Sequence, residues 1–332
     1  MAFNRASMPP EQEALLILTR QQFPELEGVA CEVEPIVKGG SDRHFYRFTW
    51  AGEVHPPMVL MVYTMARRDN PKFVPCTRRL AALGVNVPKI YAFCEQRLCV
   101  WLQDLGRDDL HEHHLADWEE RRPLYEATLR EAAKIHSVKE ASLSAEEIAA
   151  MEPAFNEGMY EWEQNYFIEH FVRGYLHRDV DGLTEAHAVL AQLRQRLAKL
   201  PRCLVHRDFQ SQNVLMRDGA AWLVDYQGLR PGLAEYDLAS LLFDPYVVIS
   251  RSERHDLLTY YADLGNLKLP ELREIFHLCA AQRLMQALGA YANLSRNQGK
   301  THFEQHIPAG VRNLTTVCEE APELAPLLTL FT

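Results

Sequence analysis

The stretch LVHRDFQSQNVLMRDGAAWLVDYQG, residues 204–228, sets His206, Arg207, Asp208, Asn213 and Asp225 among short apolar runs. A carboxylate can aim a hydroxyl and accept its proton. Amide and carboxylate oxygens are hard ligands of the kind magnesium takes beside phosphate oxygens and water. One proton acceptor and two such ligands this close together suit phosphoryl transfer, which asks a protein for in-line aim and neutralised charge. On this reading Asp208 orients the acceptor hydroxyl and takes its proton, while Asn213 and Asp225 hold the metal. Singly, each residue has a plainer role: His206 as a satisfied core histidine, Asp208 as a cap, Asn213 as a turn residue. Their joint spacing favours the chemistry.

Something must carry these groups to one place. The runs VLMR and AWLVD can pair as strands about the turn DGA, which brings Asn213 and Asp225 to the same end of a hairpin. The hairpin stands inside a helical half. From TEAHAVLAQLRQRLAKL to LPELREIFHLCAAQRLMQALGAYANLS, helix formers recur at three- and four-residue spacing, and residues 145–176 read as one further helical run. Before it, from Glu32 to Val100, short stretches rich in Val, Ile, Tyr, Phe and Trp predict strands, with one helix inserted near residues 73–83 and another over 10–23. The expected division is a β-rich lobe over residues 1–103 and a helical lobe over 104–332, meeting at a hinge near 101–105. A ligand belongs in the cleft between them.

Composition narrows the function classes. The chain has 332 residues, 47% hydrophobic and 24% charged, enough for a large core and more than one compact unit usually needs. A formal net charge of -10 argues against a surface that seeks nucleic acid or anionic lipid. Seven cysteines without a C-x-x-C pair read as scattered reduced thiols. The first residues lack the apolar run of a signal peptide, and no stretch is apolar enough to span a membrane, so a cytoplasmic protein with no membrane span is expected.

His206, Arg207, Asp208 and Asn213 match H-R-D-x-x-x-x-N, the catalytic-loop signature of protein kinases. There is no D-F-G, since Asp225 is followed by Tyr226 and Gln227, and no A-P-E. HRDFQSQNVL, LVDYQG and AEYDLASLL together resemble the aminoglycoside phosphotransferase and choline kinase superfamily of small-molecule kinases. The resemblance runs from GGSDRHFYRF to AAQRLMQALGAY and looks closest to bacterial amino-sugar kinases of cell-wall recycling, which phosphorylate N-acetylmuramate and N-acetylglucosamine at the anomeric hydroxyl. It implies an α+β, two-lobed protein-kinase-like fold, with a small antiparallel β-sheet N-lobe and a larger, mostly helical C-lobe. It also implies ATP and Mg2+ as cofactors, and a supporting role for Asp237, whose carboxylate would bond the backbone of the catalytic loop. His206 and Arg207 would support the same loop.

Gly39, Gly40 and Ser41 lie between two predicted strands and could cover ATP phosphates with backbone N–H groups, although a Gly-Gly turn has a purely structural use too. Kinases of this fold carry a lysine on the third strand that pairs the α- and β-phosphates; here Met61 stands in its place. Either Arg43, Arg47, Arg67 or Arg68 substitutes, or the chain is a nucleotide-binding pseudokinase. Gln227 stands where some small-molecule kinases place a second acid, and an amide oxygen could serve a metal or its water. Backbone groups near Leu102 and Gln103 are expected at the adenine. For the acceptor, Glu163 and Tyr166 in FNEGMYEWEQNYFIEHF could meet a sugar, or belong to an ordinary amphipathic helix. An acidic acceptor pocket would favour aminoglycosides and a basic one the carboxylate of N-acetylmuramate. HEHH, residues 111–114, has zinc-like residue types but reads as solvated histidines.

Overall fold

Alternating residues and an aliphatic run build the first sheet. In the computed structural model, which describes residues 8–37 and 43–332, five antiparallel strands lie in the order β1-β2-β3-β5-β4. They are β1 (Cys31–Ile36), β2 (His44–Trp50), β3 (Met58–Val62), β4 (Ile90–Cys94) and β5 (Cys99–Gln103), the five stretches expected from sequence. Because side chains alternate across a strand, the sheet has two distinct apolar faces. Tyr46, Phe48, Trp50, Leu60 and Trp101 pack with Leu16 of helix α1 (Pro10–Gln22), and the Trp101 indole donates to Thr19 Oγ1 at 3.0 Å. Phe45, Val59, Met61, Val100 and Leu102 turn the other way, into the main core with α2 (Phe73–Ala82). In register, Phe45 faces Met61 and Met61 faces Val100.

The remainder is mainly helical: α3 (Trp118–His136), α4 (Ala145–Ala149), α5 (Glu157–Tyr166), α6 (Thr184–Lys199), α7 (Ala234–Leu242), α8 (Arg251–Gly265), α9 (Leu269–Arg296) and α10 (Ile307–Glu320). The single run expected over 145–176 is broken. Pro153 offers no backbone donor, and Asn156 starts a new helix by accepting the Met159 N–H at 2.9 Å. Past α5 the chain widens into a π-helix, Phe167–Tyr175, with Phe167, Ile168, Phe171 and Val172 buried. α9 lies so close to this junction that a Cβ on Gly289 would stand 2.9 Å from Tyr166 Cδ1 and 3.1 Å from the Phe167 Cα.

Two small β-pairs interrupt the helices. β7 (Val214–Arg217) and β8 (Ala220–Leu223) form the expected hairpin; β6 (Cys203–Val205) and β9 (Arg230–Gly232) form a second pair that the sequence pattern did not suggest. All seven cysteines are free. No helix among the described residues is long and apolar enough to cross a membrane.

Candidate active site

The β7–β8 hairpin turns at Asp218 and Gly219, both at positive φ (53° and 73°), as a two-residue type I′ turn requires. Its register, Val214 opposite Leu223, continues outward: the Val224 N–H donates to the Asn213 carbonyl at 3.0 Å. Asn213 and Asp225 therefore leave the hairpin at one end. The Asn213 amide nitrogen donates to the Asp208 carbonyl at 2.8 Å, which ties the preceding loop to the hairpin and leaves the amide oxygen as that side chain's other group.

Arg207 and Asp225 both hold positive φ (79° and 63°), a conformation that costs a non-glycine residue about 1–3 kcal/mol and persists where the surroundings over-determine it. They do so here. The fully buried Asp237 carboxylate accepts the Arg207 N–H at 2.8 Å and the His206 N–H at 2.7 Å, and lies 3.0 Å from His136 Nε2. His136 in turn meets the Tyr261 hydroxyl at 2.8 Å. The His206 ring reaches across to the Val224 carbonyl at 3.0 Å. Farther along the loop, Ser211 donates its N–H and hydroxyl to buried Asp244 at 2.9 and 2.7 Å.

Asp208 sits among cations. Arg207 Nη1 lies 2.7 and 2.6 Å from its two oxygens, and Arg283 Nη2 is 3.9 Å away. Burial works to raise the Asp208 pKa, but the Arg207 and Arg283 charges outweigh it and hold the carboxyl well below the usual carboxylate range. Buried Arg230 lies over the Phe155 ring at 5.2 Å and donates to the Gly228 carbonyl at 3.0 Å; burial, then the like charge of Arg207, pushes its pKa down. Its nearest carboxylate, Glu152 at 3.8 Å, is shared with Lys72 at 2.7 Å and Arg68 at 2.8 Å.

Asp225 Oδ1 accepts from Arg43 at 2.5 Å and from the Gln227 amide at 3.1 Å. The other end of Gln227 is unusual: its Oε1 is buried with no hydrogen-bond partner among the described residues. Such an atom is costly unless something pairs with it. The Asp225 carboxylate and the Asn213 amide oxygen, leaving the hairpin at one end, are oxygen donors of the type that fits magnesium and its waters, and the orphaned Gln227 oxygen is a third of that type nearby in the chain.

Other expected residues fall elsewhere. Gly39, Gly40 and Ser41 lie outside the described residues. Leu102 is paired in the ladder with Val59 and Ile90, and the Gln103 N–H is committed to the Lys89 carbonyl at 2.8 Å. Sheet pairing thus uses backbone groups expected at the adenine, and the first residues past β5 are Asp104, Leu105 and Gly106. Glu163 is buried, its oxygens taken by Tyr236 at 2.9 Å and Gln282 at 3.0 Å, so burial raises its pKa. Tyr166 accepts from Asn293 at 2.8 Å and stacks on Trp162. Glu163 looks inward to the helix bundle, as the plainer amphipathic reading has it, and Tyr166 is half-buried beside exposed Trp162. His111 and His114 stack ring on ring at 4.7 Å, while Asp109, His111 and Glu112 bring ligand-type atoms within 4.8 Å of one another. A cavity of about 580 Å3 lined by Arg254, Arg273, His277 and Glu320 shares no residue with the hairpin.

Sequence reading missed His136, Glu152, Arg230, Asp244 and Arg283. Arg283 left a signal, for Gln282, Arg283 and Gln286 interrupt the otherwise apolar stretch of α9 from Leu278 to Tyr291. The others are isolated polar residues whose partners lie far away in the chain.

The profile of the phosphotransferase enzyme family matches residues 32–275. An N-acetylmuramate/N-acetylglucosamine kinase of Pseudomonas aeruginosa is 28% identical over 312 residues, covering 89% of this chain and 88% of the relative. One of the same name from Neisseria meningitidis serogroup B is 30% identical, over 74% of this chain and 75% of the relative. Among solved structures, a choline/ethanolamine kinase family protein from Mesorhizobium loti superposes with a TM-score of 0.64 at 15% identity, covering 96% and 98% of the two chains. The ADP-bound aminoglycoside phosphotransferase APH(2'')-Ib gives 0.59 at 15% identity, covering 92% and 99%. These two share the fold, two-lobed and kinase-like. With a match across most of its length, the chain belongs to the phosphotransferase enzyme family and is an enzyme that phosphorylates a hydroxyl group.

Proposed function

We propose that this enzyme uses MgATP to phosphorylate the anomeric hydroxyl of N-acetylmuramate or N-acetylglucosamine, in the cytoplasm. The observation that carries the chemistry is the ionised Asp208 carboxylate, held by Arg207 beside an oxygen donor set on Asn213 and Asp225. Asp208 orients the acceptor hydroxyl and receives its proton. Asn213 and Asp225, with Gln227 supporting, would hold the magnesium, which supplies charge neutralisation at the phosphates. Residues up to 103 form the nucleotide lobe and those from 104 the acceptor lobe.

The amino-sugar kinases among its relatives support an amino sugar. The electrostatics support it independently. Arg207 and Arg283 lie beside Asp208 and Arg230 close by, so a cationic aminoglycoside would meet like charge, whereas the carboxylate of N-acetylmuramate would meet opposite charge. The pseudokinase alternative rested on Met61 alone, and the family match speaks against it.

The test is ADP release with MgATP and a panel of N-acetylmuramate, N-acetylglucosamine, plain hexoses, choline and kanamycin, with Asp208→Asn as control. Turnover is expected with the acetamido sugars and not with the control. Turnover with kanamycin or choline alone would overturn the assignment of acceptor.

A further inference from the structure

The cleft face of the sheet lacks two charges at once. Met61, at the lysine position of kinases with this fold, is fully buried among apolar neighbours. Helix α2, FVPCTRRLAA, contains no aspartate or glutamate, so it offers no carboxylate of the kind that would hold such a lysine. Both halves of the usual ion pair are absent together, while phosphates in the cleft still need a cation.

Strand β2 carries one to the same place. Phe45 is the cross-strand partner of Met61, and with the two-residue period continued one residue back from the strand, Arg43, which directly precedes β2, shares a face with Phe45 and Arg47. Arg43 and Arg47 are thus its diagonal neighbours. Four arginines could substitute, and their partners separate them. Arg47 is held by Asp104 at 2.6 and 3.0 Å and by the Gly106 carbonyl at 2.8 Å. Arg67 bonds Asp69, and Arg68 bonds Glu152. Arg43 bonds Asp225, a residue of the oxygen donor set, at 2.5 Å. Its side chain is only 4% exposed, and a buried charge is costly unless an anion faces it.

Resting on the MgATP reading above, we propose that Arg43 is the phosphate-pairing cation of this enzyme, stored on Asp225 without nucleotide and exchanged onto the phosphates when metal and nucleotide arrive. Neither half of the exchange is favourable alone. A cation on Asp225 evicts Arg43 from its carboxylate, and the incoming phosphates supply the replacement anion. Metal and nucleotide therefore bind cooperatively, because each makes room for the other.

The experiment compares wild type, Arg43→Met, Arg43→Lys and the double variant Arg43→Met/Met61→Lys. Calorimetry measures adenosine and MgADP binding, and Mn2+ paramagnetic resonance measures metal binding without nucleotide. In Arg43→Met, MgADP affinity should fall at least tenfold with adenosine affinity within twofold, and Mn2+ alone should bind at least fivefold tighter. Met61→Lys in that background should recover most of the MgADP affinity, and Arg43→Lys should fall between. Unchanged MgADP affinity in Arg43→Met would overturn the phosphate role; unchanged or weaker Mn2+ binding would overturn the storage. If Arg43→Met fails to fold, the Arg43→Lys variant decides both points by the same two readouts. Wild type that bound no nucleotide would defeat the MgATP reading itself, whereas wild-type binding that ignores Arg43 would defeat only the exchange.

Discussion

The catalytic loop and the cleft face of the sheet solve opposite problems. The loop gathers charge: Asp208, Arg207, His206 and Asn213 are neighbours in sequence, and buried Asp237 and His136 pin their backbone from a distance. The sheet face is apolar at Met61 and receives charge from the flanks, through Arg43 just before β2 and Arg47 on it. Redundant bonding suits the proton transfer proposed for Asp208, where small misplacement is expensive. The Arg43–Asp225 ion pair is the element proposed to change partners. The lesson is that rigidity and exchange are distributed within one cleft according to which groups must stay and which must move.

The comparison can be broken most severely at the fixed end. Asp208→Asn should lower kcat on the order of 10²–10⁴-fold, with nucleotide affinity nearly unchanged, because it removes the proton acceptor and leaves the cleft intact. Steady-state kinetics would show this, and a wild-type kcat would place the chemistry elsewhere. Next comes Asp225→Ala, expected to weaken magnesium-dependent nucleotide binding by roughly 10–100-fold, the scale of losing a metal's supporting group. Equal loss with and without magnesium in a titration would count against the metal role.

Asp237→Ala probes the redundancy itself. It orphans the His206 and Arg207 N–H groups, and should cost about 3 kcal/mol or more in denaturant melts, with activity falling too. A cost below about 1 kcal/mol would mean the loop is held by its other contacts. Arg47→Ala leaves Asp104 without its partner in a largely buried, two-point ion pair on an inner strand, and should cost a comparable amount, about 3 kcal/mol. The smallest effect is a predicted flatness. The Asp208 pKa is depressed, so the stability its ionised form contributes is complete above the unfolded value near ~3.9 and is lost only as pH falls through the folded value below it. From about pH 7 down to 5, kcat should show no step assignable to Asp208; a step there that vanished in Asp208→Asn would contradict the arginine pairing.

The hairpin was legible because its information is local: strand, Asp-Gly turn and strand fix where Asn213 and Asp225 emerge. The five strands were legible for the same reason. The β6–β9 pair was not, since its members lie 25 residues apart around the hairpin, and each is only three residues long. Arg230 and Arg283 reach the neighbourhood of Asp208 through that pair and through α9; Arg283 left the mark of a polar break in an apolar stretch, and Arg230 left none. Glu163 shows the reverse error: an acidic residue amid aromatics looked like a sugar contact and is instead a buried acceptor for Tyr236 and Gln282.

Gly289 gives this arrangement a remote tuning point. It lies six residues, about 9 Å, along α9 from Arg283, and the backbone of the α5–π-helix junction fills the space a side chain would need. A methyl group there would act as a wedge under a lever, with Arg283 at the far end. Random mutagenesis should therefore find Gly289 among the least replaceable positions of the chain, and second-site suppressors of its loss should cluster at Tyr166, the side chain best able to yield the missing tenths of an ångström.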